Sequence, residues 1–261
     1  MGKARVAVLV ISIGERPFSA LTLSNIKAYA DRIGAEFIVE REIAIPFWLA
    51  FKCKLMKFKR KNIECYLQKM LGINKALESF DRVLLLDDSC LVSDGAPNIF
   101  DMVPEEEIGA FPESDCVDFK APSYDKNFIF KRKGVSINGY YNTGVLVVSK
   151  GQRDIFSPEA LSGNLTLFKS MYPDQAYFAY MVDVNGIKVH KVSSDWNFMP
   201  VFDYSDNSNR ELLNLPEEHL DIVKQKNIVH VTGYYKNRDK IIEQIYFALE
   251  DNLAGAEGGQ G

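Results

Sequence analysis

The 261-residue chain has no cysteine framework. Its four cysteines, Cys53, Cys65, Cys90 and Cys116, show no metal-ligand spacing and stand among apolar neighbours, which excludes a disulfide-stapled scaffold and predicts buried free thiols. An excess of positive charge is also missing. Lysine and arginine number 31 against 35 acidic residues, a net charge of −4, without the basic field that marks nucleic-acid binders, so no nucleic-acid partner is expected. No apolar run is long enough to span a bilayer. The run over 6–13 is strand length and breaks at Gly14-Glu15-Arg16, without the cleavage signal of a secretory peptide, so the expected location is the cytoplasm. No internal repeat or Pro- or Ser-rich linker divides the chain. One domain is therefore expected over 1–253, and the Gly-rich stretch 254–261, with nothing to bury, is expected to be disordered.

The remaining composition, 47% hydrophobic and 25% charged, is that of an ordinary globular chain with enough residues for one large α/β domain. Strand and helix patterns alternate. A β-branched run over 5–12 is followed by a turn at 14–17 and a helical period at Leu23, Ile26, Ala30 and Ile33. A second strand is expected over 36–40, a helix from Ile63 to Leu77 with Gly72 a mild interruption, and a third strand over 83–86. This order predicts a Rossmann-like, mostly parallel central sheet flanked by helices. Later elements are strands over 144–149, 187–192 and 228–231 and helices over 173–182 and 238–252. The segment 115–139 is polar, aromatic and weakly periodic, a long loop or lid candidate.

One basic stretch stands apart. Lys52, Lys54, Lys57, Lys59, Arg60 and Lys61 interleave with Phe51, Leu55, Met56 and Phe58. A helix with solvated charges and a packed apolar side accounts for this pattern; an acceptor-binding or weak anionic-membrane surface is the alternative.

The strongest chemical signal is the run Leu84-Leu85-Leu86-Asp87-Asp88-Ser89, where a strand suited to burial ends in adjacent carboxylates. Ligands of open α/β sheets gather at the carboxyl ends of strands, where acidic groups can hold a cation against an anionic ligand. In an extended chain Asp87 and Ser89 share a face while Asp88 points away, unless a turn brings both carboxylates together. Oxygen ligands suit magnesium or manganese, and an added imidazole shifts the preference to manganese. Taken alone, such a cluster also serves as a turn or helix cap. A second signal lies in His230-Val231-Thr232-Gly233-Tyr234-Tyr235-Lys236: an imidazole for an ion, a glycine that leaves a backbone amide unobstructed for a phosphate oxygen, and an ammonium as point charge. His230 by itself also fits a hydrogen-bonded, partly buried histidine.

These residues resemble, in order, the motifs of nucleotide-sugar glycosyltransferases of the GT-A fold, and among them family 8, the type of glycogenin and the lipopolysaccharide galactosyltransferases. The likeness runs from the loop at 12–18 to Lys236. Asp87-Asp88-Ser89 stands for Asp-x-Asp, Tyr141-Asn142-Thr143-Gly144-Val145 for Phe-Asn-x-Gly-Val, Asp174-Gln175 for an Asp-Gln pair, Trp196-Asn197 for an aromatic-Asn pair, and His230-x-x-Gly233-x-x-Lys236 for the closing motif. The resemblance implies a UDP-sugar donor, a glycan or other hydroxyl acceptor, and a manganese or magnesium ion held by Asp87, Ser89 and His230. It implies donor contacts from Ser12, Phe18, Lys69, Asp87, Asp88, Asn142, Gly233 and Lys236, and catalytic roles for Asp174 and Gln175 beside the anomeric carbon. Phe18 equally fits a core aromatic opening the first helix.

One position departs from the family. Ser89 replaces the second Asp of the motif, which removes a charge and a bidentate ligand, so that either Asp88 turns in or the ion binds more weakly. Two further readings follow: a non-catalytic sugar-nucleotide or glycan-binding relative, favoured by Ser89, and a sugar nucleotidyltransferase, for which 12–17 is a poor phosphate loop.

Overall fold

The computed structural model describes residues 4–56, 58, 62–113, 130–135, 137–201 and 207–257. Eight strands lie among them: β1 (Val6–Ile11), β2 (Glu36–Glu40), β3 (Arg82–Asp87), β4 (Cys90–Val92), β5 (Ile108–Pro112), β6 (Tyr141–Ser149), β7 (Val189–Lys191) and β8 (Ile228–His230). Six form one sheet in the order β2-β1-β3-β6-β5-β7, and β4 pairs with β8 in a separate ribbon. The sheet is mostly parallel as expected, except that β6 runs antiparallel to both of its neighbours, β3 and β5. Strand β5 was not anticipated, because its five residues include Gly109 and Pro112 and lack a clear alternation.

Seven α-helices surround the sheets among the described residues: α1 (Ser19–Ile33), α2 (Phe47–Leu55), α3 (Ile63–Ser79), α4 (Pro158–Gly163), α5 (Pro173–Val184), α6 (Glu217–Val223) and α7 (Arg238–Glu257). The period-two geometry of strands divides the core. Ala7, Leu9, Val83, Leu85, Leu146 and Val148 face α3 and α5, whereas Val8, Val10, Leu84, Leu86, Val145 and Val147 face α1 and Trp196. With both faces covered, the central strands need no polar side, which explains their continuous apolar runs. Helix α7 closes a third cluster over the β4-β8 ribbon through Ile241, Ile242 and Ile245.

Gly72 has a packing role rather than being a simple interruption. A Cβ there would stand 2.8 Å from Ile11 Cδ1, so its absence lets α3 approach β1 closely. Helix α7 runs to Glu257 and takes in the first four positions of the stretch expected to be disordered, while 258–261 lie outside the described residues. Most of the lid candidate, 115–129 and 136, lies outside them too, as does Cys116. Cys53 and Cys90 are buried free thiols, but Cys65 is half-buried.

Arg82, at the start of β3, shows how the buried frame handles charge. Its guanidinium donates to the Phe100 carbonyl at 2.7 Å, the Val103 carbonyl at 2.6 Å and Ser149 Oγ at 3.2 Å, and it stacks on the Phe100 ring. Replacement by methionine keeps the stem but strands two buried carbonyls. Arg82→Met is expected to lower unfolding free energy by about 3 kcal/mol, since hydrogen bonds to charged groups are each worth roughly 1.5–3 kcal/mol. Urea unfolding checks this, and an unchanged midpoint would show that the 99–103 turn is held by something else.

Candidate functional site

Strand direction explains where the chemistry gathers. Strands β3 and β5 run the same way and end at Asp87 and just before Glu113; β6 runs oppositely, so its first residues, Asn142, Thr143 and Gly144, reach the same edge. The first turn of α5 adds Asp174 and Gln175, α3 projects Lys69, and the pairing of Cys90 with His230 brings the end of β8 alongside. The result is a cleft of about 760 Å³ at the carboxyl ends of the parallel strands, within the size range of ligand sites.

Lys69 occupies its centre. The buried ammonium lies 2.7 Å from Asp87 Oδ1 and 3.0 Å from Asp174 Oδ2, and donates to Thr143 Oγ1 at 3.3 Å; Thr143 in turn donates to Asp174 at 2.7 Å. Burial alone would pull the Lys69 ammonium down, but Asp174 and Asp87 together hold it above its ordinary range. Burial would likewise raise Asp87, yet the Lys69 charge and the His230 contact hold it well below the usual carboxylate range. Both groups therefore keep their charges.

A chain of hydrogen bonds starting at a backbone amide sets the tautomer of His230. The Gly144 N–H can only donate, so the Asn142 atom it meets at 2.8 Å is the carbonyl oxygen. Asn197 also donates to that oxygen at 2.9 Å, which turns its own carbonyl toward His230 Nδ1 at 3.1 Å. Nδ1 must then carry the hydrogen. The other nitrogen, Nε2, faces Asp87 Oδ2 at 3.4 Å. A lone pair opposed to a carboxylate needs positive charge between them: a proton on the imidazole, or a cation in its place. Gly144 makes the approach possible, because a Cβ there would lie 2.1 Å from His230 Cε1.

This pair fits a divalent ion in part. Two ligand atoms each about 2.1 Å from one ion and near a right angle across it stand about 3 Å apart. Asp87 and His230, at 3.4 Å, stand somewhat wider than that, and no third His, Cys, Asp or Glu joins them among the described residues. Ser89, expected as the third ligand, is fully buried and does not line the cleft, and its Oγ has no hydrogen-bond partner.

The other expected residues divide into two groups. Lys69, Asp87, Asp88, Asn142, Asp174, Gln175, His230 and Gly233 all line the cleft. Nothing stands within 4 Å of a Cβ placed on Gly233, so that wall is open. Ser12 lies behind the cleft and donates to Asp88 at 3.4 Å. Phe18 is buried in the third core cluster beneath the Arg238 guanidinium, 5.1 Å from its ring centre. Lys236, expected on the diphosphate, is exposed, pairs with Glu211 and does not line the cleft.

Two kinds of residue were missed. Arg16, Arg210 and Arg238 line the cleft, and Arg16 Nε lies 3.2 Å from Asp88 Oδ2, so Asp88 holds a guanidinium rather than facing the Asp87–His230 pair. Burial raises the Asp88 carboxyl, with Arg16 offsetting part of the effect. The second is Glu113, whose Oε1 accepts from Asn142 at 2.6 Å and from Gln175 at 2.9 Å. Its Oε2 and the Gln175 carbonyl oxygen are buried without partners. A sequence signal existed for it: Ile108-Gly-Ala-Phe-Pro-Glu113 is a second apolar run ending in a carboxylate.

Burial pushes the Glu113 carboxyl up from 4.5 to about 7, against the hydrogen bonds from Asn142 and Gln175. The folded state then binds the proton more tightly than the unfolded chain does. Its contribution is full below about pH 4.5 and is lost as pH rises toward 7, a change of roughly 3 kcal/mol at 1.36 kcal/mol per pH unit. Glu113→Gln, which stays neutral, is expected to remove that slope and to be relatively more stable at pH 8 than at pH 5. Chemical unfolding of both proteins at the two pH values checks it; parallel profiles would place the proton elsewhere.

No protein-family model matches the chain, and no curated protein matches it either. Solved structures do match. The chain is similar to a glycosyltransferase involved in the glycosylation of the major capsid of PBCV-1, with 15% identity over 92% of this chain and 98% of that one and a TM-score of 0.56. It is also similar to an active-site mutant of LgtC, with 17% identity over 95% of both chains and a TM-score of 0.48. Mouse xyloside xylosyltransferase 1 in its apo form matches at 11% identity over 88% of this chain and 98% of that one, with a TM-score of 0.45; these two scores are too low to add to the assignment. By its likeness to the capsid-glycosylating enzyme, the chain has the GT-A glycosyltransferase fold.

Proposed function

We propose that the chain transfers a sugar from a nucleoside diphosphate sugar, with UDP as the nucleotide, to a hydroxyl of a glycan or related acceptor, aided by manganese or magnesium. The supporting observation is the Asp87–His230 pair, whose tautomer leaves Nε2 and a carboxylate oxygen turned toward one another in a cleft also lined by three arginines. Asp87 and His230 are the two protein groups that would hold the ion. When bound there, a divalent ion neutralises charge on the diphosphate.

The chain's own groups divide the remaining work. Arg16, Arg210 and Arg238 meet the diphosphate as its negative charge grows on departure, in the way preorganised donors stabilise a leaving group. The unpartnered Gln175 carbonyl oxygen and the Asp174 carboxylate face the positive charge that develops at the anomeric carbon. Asp174 is paired with Lys69 and Thr143, which makes it an electrostatic group rather than a base. Glu113, pushed up to about 7, suits proton transfer from the acceptor. A non-catalytic nucleotide-sugar binder is the second reading, favoured by the turning away of Ser89.

Manganese and UDP share this site, so together they are expected to raise the melting temperature more than the sum of their separate shifts. Additive or absent shifts across the common nucleoside diphosphates would count against it. Replacement separates the roles. Arg238→Gln is expected to weaken UDP binding about tenfold or more, whereas exposed Lys236→Ala leaves it within about twofold. Gln175→Ala should lower the transfer rate with nucleotide affinity unchanged, the mark of an interaction made in the transition state. Calorimetry and initial rates on folded variants read both, and a larger loss of UDP affinity from Lys236→Ala than from Arg238→Gln would reverse the assignment.

A further inference from the structure

Helix α2 is built with its apolar side outward. Leu49 and Cys53, one turn apart, are buried and anchor the helix to the core. Phe47, Phe51 and Leu55 also recur at four-residue spacing, which places them on one stripe, but they are 86%, 56% and 66% exposed, and neighbouring Trp48 is 46% exposed. At 100° per residue, Lys54 falls along one edge of this stripe, and Lys52, whose ammonium donates to the Ser162 carbonyl at 2.9 Å and hydroxyl at 2.8 Å, falls along the other, past Trp48. The expectation of a packed apolar side is thus corrected in part: Met56 and Phe58 are half-buried against the first core cluster, whereas Phe51 and Leu55 face solvent.

The charge around the stripe has one sign. From Ile43 to Lys61 there is no acidic residue, while six Lys and Arg occur in a chain whose net charge is nonetheless −4. Ile43, just ahead of the helix, is exposed too. The surface lines no part of the cleft. Among the described residues no helix is long and apolar enough to cross a membrane, so a spanning role is not the explanation.

We propose that α2 docks this protein on an anionic bilayer surface, with Phe47, Trp48, Phe51 and Leu55 in the headgroup–acyl boundary and the lysines reaching anionic lipid headgroups. An exposed stripe of aromatic and aliphatic side chains bordered by lysines suits a fluid, negatively charged layer. A protein partner would need a preformed acidic surface complementary to this stripe. The surface is independent of the reaction in the cleft.

Tryptophan fluorescence reads the event directly, because the chain has two tryptophans and Trp196 is buried. Vesicles of phosphatidylcholine with phosphatidylglycerol are expected to co-sediment the protein and shift Trp48 emission to the blue; pure phosphatidylcholine vesicles are not. Phe47→Ser with Phe51→Ser is expected to weaken association at least tenfold, and Lys52→Glu with Lys54→Glu at least tenfold as well, since each lysine near such a surface is worth about fivefold. Circular dichroism confirms folding of these surface variants. Absence of binding to phosphatidylglycerol vesicles, binding without a Trp48 shift, or either double variant binding like the wild type would overturn the proposal. So would retention by soluble acidic proteins in place of vesicles.

Discussion

The site depends on one buried ammonium. Lys69 ties α3 to the end of β3 through Asp87, to the start of α5 through Asp174, and to β6 through Thr143. Without it two carboxylates would face each other from different elements, and burying them together would force one to take up a proton. With it both are held in place, so the acidic centre exists before any ligand arrives. The geometry also constrains roles: Asp174 Oδ2 already accepts from both Lys69 and Thr143.

A second constraint runs through neutral groups. The Gly144 amide fixes Asn142, Asn142 fixes Asn197, and Asn197 fixes the proton on His230. Asn142 at the same time donates to Glu113, which accepts from Gln175. One side-chain amide thus joins the His230 side of the cleft to the side carrying the unpartnered Gln175 oxygen. Such a network is preorganised by its hydrogen bonds. It also gives the Tyr141-Asn142-Thr143-Gly144 motif a physical meaning: the asparagine orders the site, and the glycine makes room for the histidine.

Long apolar strands were legible because burial on both faces leaves no alternation to confuse them. Asp87 was legible because a carboxylate at the end of such a strand is costly unless used. Glu113 ends a strand in the same way, but Gly109 and Pro112 hid that strand, and the reversal of β6 that brings Asn142 beside it is a tertiary fact. Lys236 and Arg238 show the limit of spacing. The turn after β8 sends Lys236 to Glu211 and Arg238 into the cleft, where its guanidinium donates to the Val231 carbonyl at 2.8 Å and lies over the Phe18 ring. Ser89 shows it again, since period two would place it beside Asp87, but the turn between β3 and β4 buries it instead. The same limit applied to α2, where alternating apolar and basic residues do not say which side meets the core.

The central claim is that the charged cleft breaks the bond between a sugar and a nucleoside diphosphate. Product analysis tests it most directly: the protein is incubated with manganese and a panel of nucleoside diphosphate sugars, and the released nucleotide is identified. The account predicts release of the nucleoside diphosphate, UDP from a UDP-sugar, that disappears in a folded Asp87→Ala variant. Release of pyrophosphate, or nucleotide binding with no release from any donor, would contradict it.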